Sequence, residues 1–109
     1  MPRYLVRARV TTAFIARLSA NPTDRTEVLG RLIEDAGGKL LGWYFSPEDC
    51  MVSEIVDVPE ASTLDAVNLA VIAGGTVDPS TVAVSRVLTG AELADTLRAA
   101  AAVSYTPPT

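Results

Sequence analysis

Glu54 is the residue of this sequence best suited to acid–base chemistry. It is the only carboxylate in the middle of an apolar run, between Val52 and Val56, and this run predicts a central β-strand. An ionised carboxylate there is costly unless it is paired, so two interpretations remain open. In one, Glu54 pairs with Arg7 or Arg9 of the neighbouring strand, or with a partner chain. In the other, it lies in an apolar cavity with a raised pKa and acts as a general acid or base.

Four further side chains are candidates for substrate binding: Trp43, Tyr44, Asn68 and Arg86. The two aromatic rings could stack on a ligand, or they could pack in the core or in a dimer interface. Asn68 lies within the apolar face of a predicted helix, where its amide must find a partner in the backbone, in water or in a ligand. Arg86 lies on a predicted strand, where it anchors an anion, pairs with a carboxylate or remains solvated.

Cys50 is the only cysteine, and it follows two carboxylates, Glu48 and Asp49. Neighbouring negative charges favour the protonated thiol, so the sequence predicts a passive residue that fills a small apolar space rather than a nucleophile. We therefore expect Cys50→Ser to retain function. The chain has no histidine and no complete catalytic or metal-binding motif, so we expect no metal and no cofactor. Any acid–base step must then use a carboxylate, the thiol, a tyrosine or water.

The composition is that of a globular chain with a hydrophobic core. Of the 109 residues, 49% are hydrophobic and 20% are charged, which predicts a single domain over residues 1–103 with a flexible tail at 104–109. The net charge is −4 and the basic residues are scattered, so we expect no nucleic-acid partner. No apolar run approaches the roughly 20 residues that cross a bilayer, and the single cysteine favours a cytoplasmic protein with no membrane partner.

Alternating and helical hydrophobic patterns predict the elements that hold these side chains. The predicted strands cover residues 4–10, 39–45, 50–58 and 82–88. A short helix opens at Thr11 or Thr12, and a second begins with Asn21 as its cap and Pro22 at its first position. A third helix spans residues 60–73, and a capping box at Thr89 opens a last, alanine-rich helix that runs to about residue 103.

This order of elements predicts an α+β fold of the ferredoxin-like βαββαβ type, with an extra C-terminal helix. The helices would cover one face of a four-stranded antiparallel sheet. The second face would then carry a good share of the valines and aromatics, which leaves a large apolar patch in water. We therefore expect a homodimer in which two sheets face each other as a dimeric α/β barrel.

Four short motifs carry a family resemblance. They are Tyr4-Leu5-Val6, Gly37-Gly38-Lys39-Leu40 before Tyr44-Phe45, Val58-Pro59, and Leu88-Thr89. Together they make the chain resemble the GYD-domain family, over nearly its whole length up to the last helix. The Gly-x-Tyr-Asp signature itself is replaced by Glu48-Asp49-Cys50-Met51. The resemblance implies a ferredoxin-like protomer and a dimeric barrel, and it implies no particular reaction.

Two functions remain open at this point. The first is a cofactor-free enzyme that performs proton transfer, of a lyase, isomerase or cyclase type, on a mostly apolar small molecule. Glu54 and Asn68, as polar residues within apolar surroundings, favour this function. The second is a non-catalytic dimeric module that binds a small molecule or serves as an accessory protein. A cavity that reaches Glu54 would favour the enzyme, and a fully packed barrel would favour the accessory module.

Overall fold

The computed structural model describes all 109 residues and has an α+β architecture. Its elements, in chain order, are β1 Arg3–Arg9, α1 Thr12–Ala20, α2 Arg25–Asp35, β2 Lys39–Ser46, β3 Met51–Asp57, α3 Ala61–Ala73, β4 Ala83–Val87 and α4 Gly90–Ala101. The strand order is β2-β3-β1-β4, and every neighbouring pair is antiparallel. This is the ferredoxin-like arrangement that the sequence predicted.

The helix starts follow from local hydrogen bonds, and one of them corrects the sequence prediction. Asn21 ends α1, and α2 begins three residues later than predicted, where Asp24 Oδ1 accepts a hydrogen bond from the Thr26 amide at 2.9 Å. Both Asn21 and Asp24 are good capping residues, and Asp24 is the one used. At α4 the predicted capping box is present, with Thr89 and Glu92 each accepting a hydrogen bond from the other's backbone amide.

The hydrophobic core lies between the sheet and the helices α2 and α3. Its main cluster contains Val6, Ile33, Val56, Val58, Leu64 and Val67, each at most 6% exposed. A smaller cluster of Val10, Phe14 and Val52 lies under α1. Because side chains alternate along a strand, the strand residues of both clusters belong to one face of the sheet, here called the covered face.

The opposite face of the sheet, here called the open face, has no helix over it. Its apolar residues include Leu5, Ile55 and Val87, and these are interspersed with Arg7 and Ser53. The expectation that this face carries a good share of the valines was wrong for β1 and β3, because alternation directs Val6, Val52 and Val56 to the covered face. The open face is therefore a mixed surface, with a smaller apolar area than the sequence suggested.

Helix α4 projects away from the sheet. The molecule measures 58 × 33 × 22 Å, and its radius of gyration is 17.2 Å, whereas a compact chain of this length has about 13 Å. The apolar residues Leu93 and Leu97 of α4 are 48% and 59% exposed. The helix is amphipathic but has no surface of its own chain to cover it.

Candidate functional site

A cavity of about 340 Å³ lies between the covered face of the sheet and the helices α2 and α3. It is partly open to solvent, and 16 of the 21 residues that line it are hydrophobic. Its volume falls within the usual range of small-molecule sites, and so does its pattern of apolar walls with few polar groups. Only four of the lining side chains carry a charge or an amide or indole N–H: Arg25, Trp43, Glu54 and Asn68.

Glu54 lies in the floor of this cavity, in the middle of β3. Its cross-strand neighbours are Val6 on β1 and Trp43 on β2, so the carboxylate lies within an apolar row of the covered face. No hydrogen bond or ion pair stabilises its charge, and burial alone raises its pKa to about 7. A carboxyl group with this pKa exchanges a proton readily near neutral pH, as a general acid or base must.

The alternative in which Glu54 pairs with an arginine of β1 is wrong. Alternation along β1 directs Arg7 and Arg9 to the open face, on the opposite side of the sheet from Glu54. There, the Arg7 Nε donates to Ser53 Oγ at 3.2 Å, and the Arg9 Nε donates to the Asp49 carbonyl oxygen at 3.3 Å. The open face is also where a partner sheet would lie, so a partner chain at that face would not reach the Glu54 carboxylate either.

Trp43 lines the cavity because a bulge changes the alternation of β2. The register shifts between Leu40 and Gly42, so that β2 has one residue more than β3 at this point. Leu40 lies on the covered face, and strict alternation would have placed Tyr44 there as well. After the bulge, Trp43 and Phe45 are on the covered face instead, and Tyr44 is on the open face with 66% of its surface exposed.

Two buried donors in the site have no hydrogen-bond acceptor. They are Nε1 of Trp43 and Nε of Arg25, and they are the only such buried side-chain atoms in the chain. A buried donor without an acceptor costs about 1–3 kcal/mol, and both of these donors belong to residues that line the cavity. The guanidinium of Arg25 also lies 5.7 Å from the centre of the Phe14 ring, a distance suited to a cation–π contact.

The sequence prediction missed Arg25. With α2 starting at Pro22, this residue lay inside the helix and had no evident role. Once Asp24 is the cap, Arg25 is the first residue of α2, where a positive charge opposes the helix dipole. A locally unfavourable residue of this kind often has a non-local role, and this signal emerges only once the start of α2 is known.

The remaining predicted residues divide between the cavity and the surface. Asn68, on α3 beside the core residue Val67, lines the cavity and is half-buried. Tyr44 and Arg86 do not line it; Arg86 is exposed on the edge strand β4. Cys50 is an exposed free thiol in the β2–β3 turn, so the expectation that it fills an apolar space was wrong.

Comparison with known families gives one result. The sequence model of the GYD domain matches residues 4–97, which include every residue of the candidate site. The chain belongs to the GYD domain family. A search of curated proteins finds no match to this chain. None of the four helices combines the length and apolar character that crossing a membrane requires.

Proposed function

We propose that this GYD-domain protein is a cofactor-free enzyme that transfers protons on a mostly apolar small molecule. The observation that carries the proposal is the unpaired Glu54 carboxyl group in the floor of an apolar cavity, with a pKa raised to about 7. Burying a carboxyl group without a partner costs stability, and a site that uses its proton explains why the cost is tolerated. Lyase, isomerase and cyclase reactions all include such a proton transfer.

The proposed mechanism uses the two protonation states of Glu54 in turn. The ionised carboxylate removes a proton from a carbon of the bound molecule, and the resulting carboxylic acid returns the proton to the same or a neighbouring position. The apolar walls exclude water, which strengthens the electrostatic interactions between the carboxylate and the reacting atoms. Trp43 and Asn68 border the same space and would orient the molecule.

The test is hydrogen–deuterium exchange on a panel of apolar carbon acids in D₂O, followed by proton NMR. The wild-type protein should accelerate exchange for some members, with a rate that rises through pH 7 as Glu54 ionises. Glu54→Gln should lose this acceleration. Glu48→Gln is the matched control, because it removes an exposed carboxylate from the adjoining turn and changes the net charge equally. Equal exchange in Glu54→Gln and the wild type would refute the role of Glu54.

The alternative is a non-catalytic module that binds a small molecule in the same cavity. One observation favours it: Glu54 is the only acid that lines the cavity, so no second carboxylate can relay its proton. Trp43, the single tryptophan, lines the site and reports binding through its fluorescence. Ligands that change this fluorescence without any exchange across the panel would favour the binding module.

We also propose that the protein is a cytoplasmic homodimer. The open face and the exposed apolar side of α4, with Leu93 and Leu97, are the surfaces that a second copy would cover. An exposed free thiol such as Cys50 is typical of reducing compartments. Light scattering at low micromolar concentration should give twice the mass of the chain, and Leu93→Glu with Leu97→Glu should weaken the dimer. A wild-type monomer that does not associate on concentration would contradict the proposal.

A further inference from the structure

The Glu54 carboxyl group is the only acid that lines the cavity, and it has no partner within the chain. Glu54 is only half-buried, in contrast to the fully buried Val56 two positions along the same strand, so a molecule in the cavity can reach it. A carboxylate in apolar surroundings is stabilised by an opposite charge or by hydrogen-bond donors. The protein supplies neither, so apart from water a ligand is the source from which they can come.

Arg25 is the only other charged residue that lines the cavity, and its charge does not compensate that of Glu54. Burial is the one cause of the raised pKa of Glu54, and no positive charge lowers this pKa. The Arg25 guanidinium lies 5.7 Å from the centre of the Phe14 ring, and Arg25 also lines a second cavity of about 190 Å³ that Glu54 does not line. The surroundings of Glu54 therefore hold an uncompensated negative charge whenever the carboxyl group is ionised.

We propose that the cavity binds lipophilic amines, with the ammonium group of the ligand paired to the Glu54 carboxylate. The apolar walls contact the hydrocarbon part of the ligand, and the ion pair fixes its orientation. Trp43 is the cross-strand partner of Glu54, with its Cβ about 5 Å away, so its indole ring lies beside the bound cation. Asn68 borders the same space, and its amide oxygen is an acceptor for a second ammonium N–H. The proposal goes beyond the proposed function, because an ion pair needs the ionised carboxylate but no transfer of a proton to or from carbon.

The charge state of Glu54 separates amines from other classes of ligand. An anionic ligand would lie beside Glu54 and would be repelled by its ionised form. A neutral ligand displaces water from the carboxylate and leaves its charge unpaired, so it favours the protonated acid. An ammonium ion favours the ionised carboxylate instead. The affinity for an amine therefore rises as Glu54 ionises, whereas the affinity for a neutral ligand does not.

The experiment compares 2-aminotetralin with 2-tetralol, in which a neutral hydroxyl group replaces the ammonium group on the same two-ring skeleton. Isothermal titration calorimetry measures both affinities at pH values from about 5.5 to about 8, where the amine keeps its charge. Because the pKa of Glu54 is about 7, its ionised fraction rises from about 3% to about 90% over this range, and the affinity for the amine should rise more than about tenfold. The affinity for the alcohol should not rise. At about pH 8 the wild type should bind the amine about tenfold more tightly than the alcohol, or better.

Proton release gives a second measurement, which needs no variant. At pH 7 about half of the Glu54 carboxyl groups are protonated, and pairing with an ammonium ion expels these protons. Calorimetry in buffers of different ionisation enthalpy should therefore give about half a proton released for each amine bound, and no release for the alcohol. Amine binding without proton release would contradict the ion pair.

Glu54→Gln should lose the preference for the amine, its dependence on pH and the release of protons. Glu48→Gln is the matched control, because it removes an exposed carboxylate from the adjoining turn, and it should retain all three properties. Equal binding of the two compounds at pH 8, or no binding of either, would overturn the amine proposal. A preference for the amine that persists in Glu54→Gln would overturn it as well.

The results also separate this proposal from the proposed function. Amine binding that requires Glu54, with no exchange on any carbon acid, would support the ion pair and refute proton transfer. Exchange that requires Glu54, with no preference for the amine, would overturn the amine proposal and leave proton transfer intact.

Discussion

Replacement of Glu54 by glutamine should stabilise the protein at alkaline pH and leave its stability unchanged at acid pH. The folded state holds the pKa of Glu54 at about 7, against an ordinary value of 4.5, because the cavity removes solvent from the carboxylate. Below pH 4.5 the group is protonated in both the folded and the unfolded chain, so it does not contribute to the pH dependence. Between pH 4.5 and pH 7 the folded state binds more protons than the unfolded state, so the free energy of unfolding falls as pH rises.

The size of this change in the free energy of unfolding follows from the difference between the pKa values of Glu54 in the folded and unfolded chain. A pKa of about 7 in the folded chain against 4.5 in the unfolded chain corresponds to about 3 kcal/mol lost by pH 8. Glutamine is close in shape to the protonated acid and has no charge to bury. Glu54→Gln should therefore match the wild type near pH 4 and exceed it by about 2–3 kcal/mol at pH 8.

Urea unfolding at a series of pH values, at one fixed protein concentration, measures this difference. Glu48→Gln again serves as the control, and its difference from the wild type should be small at every pH. A Glu54→Gln protein that is less stable than the wild type at pH 8 would mean that an unrecognised partner holds the carboxylate ionised. A difference that does not vary with pH would equally refute burial as the cause of the raised pKa.

Three further substitutions test the fold that holds the site. Leu64→Ala should cost about 2–5 kcal/mol in urea unfolding, because Leu64 is 1% exposed in the main core cluster. Cys50→Gly should raise the unfolding free energy by about 1 kcal/mol, since Cys50 has a φ of 55°, and lower stability would count against that backbone geometry. Gly38→Ala should lower the melting temperature sharply, because a Cβ would collide with the Asp57 carbonyl oxygen; an unchanged melting temperature would contradict this packing.

Most of the fold was predictable because most of its strands and helices have apolar residues at the spacing of one face. Val6 and Ala8 on β1 alternate with Arg7 and Arg9, and Leu64 and Val67 on α3 recur at helical spacing. These patterns depend only on residues within each segment, and the structure confirms the elements that they predict. The start of α2 was not determined by local sequence, because residues 21–24 contain three capping residues and a proline, and the choice among them depends on packing.

The candidate site was predictable only in part. Glu54 could be identified because a carboxylate interrupts an apolar strand, but the sequence did not show whether an arginine would pair with it. The side of the sheet that Trp43 and Tyr44 face depends on the bulge before Gly42, and neighbouring residues of one strand cannot both face the cavity. Arg25 was missed because its role depends on a helix start that local signals did not determine.

The position of Glu54 explains how one strand can serve both stability and the proposed chemistry. Val56 is fully buried in the core, and Glu54 lies two residues away in the same row of side chains. Rigid packing around Val56 therefore fixes the backbone that holds the carboxyl group. Ionising Glu54 in the cavity costs about 3 kcal/mol, which is large against a typical free energy of unfolding of about 5–15 kcal/mol. This position therefore requires a well-packed core beside it. An edge strand would leave the carboxylate solvated at little cost, but solvation would also return its pKa toward its ordinary value. A central strand next to the core is thus where this fold can keep a carboxyl group both buried and ready to exchange its proton.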